Sequence, residues 1–119
     1  MKMNVWGSDM DETRGSFRTE FSYDDYCRTD LGFIPICYFI EALGQAAEYF
    51  YIQLDGACKR YLAKIEDFNL NIDIYKNLDK VFSLDVEIIE KFGKFSRSRV
   101  VLTSSGTSFC EGVFLHCNE

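Results

Sequence analysis

A carboxylate and a primary amide one helical turn apart, Glu41 and Gln45, lie inside the stretch FIPICYFIEALGQAAEYFYI, residues 33–52, which is otherwise almost entirely apolar apart from Glu48. A lone ionised carboxylate in apolar surroundings is too costly to keep, so Glu41 must be hydrogen-bonded, neutralised or wet. It is either a satisfied structural residue, bonded to Gln45 or to another chain, or an acid–base group facing a cavity. Cys27 is the second candidate, as a nucleophile. Its ordinary thiol pKa of about 8.5 leaves little thiolate at neutral pH, and nothing nearby in the sequence supplies a base to activate it; Asp24, Asp25, Tyr26 and Asp30 surround it, and with the loop shifted one of those carboxylates could itself act as a base. His116 is the only histidine, and nothing in the sequence connects it to Glu41. The five cysteines, Cys27, Cys37, Cys58, Cys110 and Cys117, are scattered and never form a C-x-x-C pair. With one histidine, neither a zinc site nor a disulfide framework is expected. No metal or cofactor is anticipated, and the thiols read mostly as small buried hydrophobes.

The elements that must position these residues follow from periodicity. Pro35 suits the first position of a helix, where no backbone N–H is missed, and the helix is predicted to run to about Leu54. Ile36, Phe39, Ile40, Leu43, Ala46, Ala47, Phe50 and Tyr51 cover most of its circumference, so it belongs in the middle of something. Asp55–Gly56 ends it. Beyond that point the period changes from 3.6 to 2. Tyr61, Ala63 and Ile65 alternate, then Phe68, Leu70, Ile72 and Ile74 do so in a shifted register, which predicts a bulge near Glu66–Asp67. Phe82, Leu84, Val86 and Ile88 share a strand face; KFGK and SSGTS are glycine turns joining the last three strands. RGSFRTEFSY is a strand before the helix, and MNVWGS a short one. One long apolar helix followed by four antiparallel strands packs naturally with the sheet curled around the helix: an α+β fold, one domain over residues 1–119, with 1–16 as a short strand and lead-in. The exposed edge of such a sheet calls for a partner or for charged residues.

Of the 119 residues 47% are hydrophobic, 16% are aromatic and one is proline, a globular composition. The net charge of −6 argues against nucleic acid, whose binding rests on neutralising phosphates. Apolar runs are shorter than a membrane span needs, and the first residues lack the apolar segment of a secretory signal, so a cytoplasmic protein is expected. Lys91, Lys94, Arg97 and Arg99 follow one another with no acid between them. They read either as a solvated hairpin or as a landing patch for an acidic partner, with Lys59, Arg60 and Lys64 as possible additions.

The chain resembles the hotdog-fold dehydratases of 3-hydroxyacyl groups on acyl carrier protein, the FabZ and FabA group and their relatives in aryl-polyene synthesis. PICYFIEALGQAA is similar to the family helix pattern P-G-V-L-x-x-E-A-x-A-Q, YLAKIEDFNL to its Y-F-A-x-I-x-x-A-x-F strand, and FCEGVFLH to its last strand. The resemblance implies a single hotdog domain with a long central helix wrapped by a curved antiparallel sheet. It further implies an acyl-thioester substrate on carrier protein or coenzyme A, and a homodimer with the acyl tunnel across its interface. It places Glu41 as the catalytic acid and Gln45, Pro35, Ile36 and Cys37 against the substrate, the helix N-terminus polarising the thioester carbonyl. Lys91, Lys94, Arg97 and Arg99 become the carrier-protein docking residues. The family's H-F-P-G motif is absent: its histidine stands fourteen residues before the glutamate, and an ungapped count back from Glu41 lands on Cys27. Ile36 replaces the glycine that follows the helix-starting proline. The expectation is therefore a dehydratase-family protein whose own catalysis is in question. The alternatives are a non-catalytic subunit paired with a histidine-bearing homologue, and a thioesterase using a carboxylate and a water.

Overall fold

The computed structural model describes residues 3–10, 14–21, 36–56, 59–71, 81–104 and 106–118. Its elements are β1 (Met3–Met10), β2 (Arg14–Phe21), α1 (Ile36–Asp55), β3 (Arg60–Leu70), β4 (Val81–Phe92), β5 (Phe95–Ser104) and β6 (Thr107–Asn118). The strands form one six-stranded sheet in the order β1-β2-β4-β5-β6-β3, and every pairing is antiparallel. The helix packs against β2, β4, β5 and β6.

Why this packing follows from the sequence is visible in the period-2 strands. Phe82, Leu84 and Val86 of β4 and Val100 and Leu102 of β5 are at most 1% exposed, and their sequence neighbours turn outward. On the helix, Phe39, Ala42, Leu43, Ala46, Ala47, Phe50 and Tyr51 are equally buried. Each fully buried Phe or Leu contributes about 2 kcal/mol of transfer free energy. The aromatics meet edge to face: Phe39 on Phe109 at 4.8 Å, and Phe17 on Phe50 at 6.2 Å. The approach of β2 to the helix is so close that a Cβ on Gly15 would lie 2.5 Å from the Phe50 ring.

Helix α1 stops where expected. Gly56 adopts φ 81, and its N–H donates to the Ile52 carbonyl at 2.9 Å, the αL termination that glycine allows at low cost. The predicted bulge is present: the β3–β6 register shifts between Glu66 and Asn69, with Asp67 at φ 50 and the Asn69 amide donating to the Asp67 carbonyl at 3.1 Å. Gly93 and Gly106 occupy positive φ at the two predicted hairpins.

One expectation needs correcting. The helix is not buried all round, since Cys37, Glu41, Gln45, Ile52 and Gln53 are exposed and form a seam along it. The thiols also divide: Cys110 is buried and Cys117 half-buried, but Cys37 is exposed, and all three are free. Cys27 and Cys58 lie outside the described residues.

Candidate active-site groove along the helix

The exposed seam of α1 is the floor of an open groove of about 540 Å³. Cys37, Ile40, Glu41, Gly44, Gln45 and Glu48 line it from successive turns, with Arg60 and Leu62 from β3 and His116 from β6 along one side. These positions are i, i+3 and i+4 neighbours, so the helix itself sets them in a row. Leu62 and His116 are Cα partners across the β3–β6 pair, and Arg60 shares their face by the two-residue period.

Two polar centres occupy the groove. In the first, the Gln45 amide donates to Glu41 Oε1 at 3.0 Å. This fixes the carboxylate in place and leaves Oε2 with no hydrogen bond among the described residues. In the second, the Arg60 guanidinium, its side chain 1% exposed, reaches Glu48 Oε1 at 3.4 Å and donates to the carbonyls of Tyr51 and Gly56, each at 3.4 Å. The last turn of α1 contains no basic residue of its own; Arg60 supplies that charge from the next strand, where the helix dipole and free carbonyls favour a cation. His116, 4% exposed, stands with Nε2 4.0 Å from Glu48 Oε2, beyond direct hydrogen-bond reach. Its Nδ1 has no hydrogen-bond partner among the described residues. Burial lowers the His116 pKa, the Glu48 carboxylate opposes that shift, and the Arg60 guanidinium adds to it. Seven residues separate Glu41 from Glu48, so the two centres are about 10 Å apart along the axis at 1.5 Å per residue.

The structure thus brings Glu41, Gln45 and Cys37 together. Ile36 opens the helix at its N-terminal end, whereas Pro35 and Cys27 lie outside the described residues. Sequence reasoning left His116 unconnected to the helix and gave Glu48 no role; the groove holds both. The signal was the register: the alternation of β6 turns His116 to the helix side, but only the β3–β6 pairing shows that it meets α1 at Glu48. No group of His, Cys, Asp and Glu among the described residues could hold a metal ion.

The four cations read as a docking patch do not share a face. Lys91 pairs with Ser96, on the helix side of the sheet, whereas Arg97 pairs with Glu90 and Arg99 with Glu87, on the outer side. Arg97 is bound to Glu90 at 2.8 Å and to Glu66 at 3.1 Å. Arg99 borders a small hollow of about 240 Å³ that also contains Asp85, Glu87 and Arg14. Lys94 sits at the exposed β4–β5 turn. Arg60, a possible addition to the patch, is committed to the end of the helix.

No protein-family model and no curated protein sequence matches the chain. Solved structures do. A hypothetical thioesterase protein from Streptococcus pneumoniae TIGR4, determined with coenzyme A, superposes with a TM-score of 0.79 at 15% identity, covering 98% of this chain and 86% of that one. The protein smu.793 from Streptococcus mutans UA159, bound to acetyl CoA, gives 0.75 at 11% identity over 98% and 89%. The dehydratase heterocomplex ApeI:P from Xenorhabdus doucetiae gives 0.73 at 12% identity over 95% and 80%. The chain has the hotdog fold. Among the described residues no helix is long and apolar enough to cross a membrane.

Proposed function

We propose that the groove along α1 binds an acyl thioester of coenzyme A and that the protein hydrolyses it. The observation that carries this reading is the Gln45–Glu41 hydrogen bond of 3.0 Å on the one exposed face of an otherwise buried helix. With Oε1 held by the amide, Oε2 is available to a water. As that water attacks the thioester carbon, Glu41 takes its proton; the C–O bond forms, the C–S bond breaks, and the proton passes to the departing thiolate. A positioned general base of this kind is worth about 10²–10⁴ in rate. The coenzyme A and acetyl CoA of two structural neighbours support the choice of thioester over other esters, and of coenzyme A over carrier protein.

A second reading is favoured by the likeness to a dehydratase heterocomplex: this chain as a dehydratase-type subunit working with a second hotdog chain in fatty acid or polyketide-type metabolism. Strand β3 supports assembly of either kind, homodimer or heterodimer. It ends the described sheet and exposes Tyr61, Leu62 and Ile65 by 48%, 47% and 38%, more apolar edge than a monomer normally leaves open.

The test is product analysis. Purified protein is incubated with acyl-CoA and with 3-hydroxyacyl thioesters on coenzyme A and on carrier protein, and free acid is separated from enoyl product by mass spectrometry. Free acid that falls by about 10²–10⁴ in Glu41→Gln, with the fold intact, is the expected result. Enoyl product favours the second reading, and no turnover by the unaltered protein overturns hydrolysis.

A further inference from the structure

Gly44 stands near the middle of α1, where a glycine weakens a helix relative to alanine. The chain itself does not ask for it. Its φ is outside the positive range that Gly56 adopts. A Cβ at Gly44 would meet, among the described residues, only the Phe114 ring, at 3.6 Å and 3.9 Å. That is ordinary van der Waals contact, whereas the same atom on Gly15 would lie 2.5 Å from Phe50. What the missing side chain does is leave bare, half-buried backbone in the groove. Gly44 lies three residues after Glu41 and four before Glu48, with Ile40 one turn behind it and Leu62 supplied by β3. Gln45, the next residue, is turned to the Glu41 carboxylate. The groove is therefore apolar at Ile40, Gly44 and Leu62 and polar on either side.

We infer that Gly44 is a specificity-determining residue: the space of its absent side chain holds the acyl chain of the thioester, which runs from the carbonyl beside Glu41 across Gly44 toward Glu48. This rests on the thioester reading of the groove. Methylenes need no hydrogen-bond partner, whereas the amides of a pantetheine arm do, so the apolar stretch suits the acyl side. Toward the start of the helix only Cys37 lines the groove, and α1 begins at Ile36, so a chain laid that way leaves the helix within a turn. Toward Glu48 the geometry sets a length. Gly44 is about 4.5 Å and Glu48 about 10 Å along the axis from Glu41, and an extended alkyl chain of ordinary single bonds advances roughly 1.3 Å per carbon. The chain thus passes Gly44 at about its fourth carbon and reaches the Glu48 carboxylate at about its eighth. Longer chains would desolvate that charge.

The experiment measures binding to the full chain by calorimetry, with non-hydrolysable S-alkyl thioethers of coenzyme A from ethyl to dodecyl as probes. Unaltered protein is compared with Gly44→Ala, and thermal melting and sedimentation are run on each. For the unaltered protein, affinity should rise with chain length to about octyl and no further. Gly44→Ala should lower the ratio of octyl to ethyl affinity by about tenfold, the cost of crowding a filled space by one methyl. Its Tm should meanwhile rise by about 4 °C, because alanine suits the helix better. A Tm that falls instead shows that the fold requires the glycine and overturns the inference. So does an unchanged affinity ratio. Equal weakening of every probe overturns it by placing the pantetheine arm over Gly44, and a change confined to self-association does so by placing a second copy of the chain there. Each of these leaves the thioester reading standing, whereas failure of the unaltered protein to bind any probe overturns both.

Discussion

Replacing Arg60 by Met tests whether this one side chain from β3 secures the end of α1. Methionine keeps most of the stem volume, so no large void opens and the loss comes from the head group. That head group reaches Glu48, the Tyr51 carbonyl and the Gly56 carbonyl at 3.4 Å each, and its guanidinium carbon lies 5.4 Å from the Tyr51 ring centroid. Hydrogen bonds this long are at the weak end of the range, about 0.5–1 kcal/mol apiece. Breaking a fully buried ion pair costs about 3–5 kcal/mol. Glu48, however, is 34% exposed, and water reaching its carboxylate reduces that to about 1–2 kcal/mol. The ring contact adds about 0.5–1 kcal/mol. Together the expected loss is about 3 kcal/mol, or about 10 °C in Tm for a domain of this size. Urea unfolding at one fixed protein concentration, read by far-ultraviolet circular dichroism with an unchanged m-value, measures it. In a double-mutant cycle with Glu48→Gln, the two changes should couple by about 1 kcal/mol. Arg60 also depresses the His116 pKa, so Arg60→Met should raise it, as followed by imidazole proton shifts. A loss below about 1 kcal/mol with no coupling would refute the argument that Arg60 anchors the helix.

Three further outcomes are expected. Because the folded chain resists protonating His116 while the unfolded chain takes the proton near 6.5, the unfolded state binds more protons as pH falls below that value; stability should then drop by up to about 1.4 kcal/mol per pH unit, saturating below the folded-state pKa. His116→Gln should remove this part of the slope when the two proteins are unfolded in parallel at pH 7 and pH 5; identical slopes would dismiss it. Gly15→Ala puts a methyl 2.5 Å from the Phe50 ring and 2.9 Å from that of Phe17, so it should destabilise by about 2 kcal/mol in the same unfolding assay. Ser98 is fully buried and its hydroxyl has no partner among the described residues, so Ser98→Ala should be neutral or stabilising by up to about 1 kcal/mol; a clear loss would show that the hydroxyl is satisfied after all.

The fold was legible because its periodicities are clean. Phe82, Leu84 and Val86 alternate without interruption, the helix ends on Asp55–Gly56, and even the bulge at Glu66–Asp67 shows as a shift in the apolar pattern. The groove was only half legible. Glu41 and Gln45 are four residues apart, so one helix suffices to place them together. His116 and Glu48 are brought together by pairing between strands distant in sequence, and no local pattern encodes that register. The basic run misled for a related reason: Lys91, Lys94, Arg97 and Arg99 are adjacent in sequence, but alternation and a register shift between Ile88 and Glu90 send Lys91 to the face opposite Arg97 and Arg99. The acids that neutralise Arg97 come from β3 and β4, outside any short window.

The spacing of the two polar centres bears on what one chain can do alone. Eliminating water from a 3-hydroxyacyl thioester removes a proton from C2 and delivers one to the oxygen on C3. Acid and base must therefore reach neighbouring carbons at hydrogen-bond distance in one complex. Glu41 and His116 lie at centres about 10 Å apart along the helix, so they cannot divide that task between them. The chain contains a carboxylic acid and a histidine, as an elimination would require, but in different turns. Hydrolysis asks for less: one base beside one water, the role proposed for the Gln45-bound Glu41. Elimination with Glu41 as the acid would need a base other than His116, from elsewhere in this chain or from a second chain. A mixture with a histidine-bearing hotdog partner is therefore the decisive comparison: enoyl product only in the mixture would make this chain a subunit, and free acid from this chain alone would make it a thioesterase.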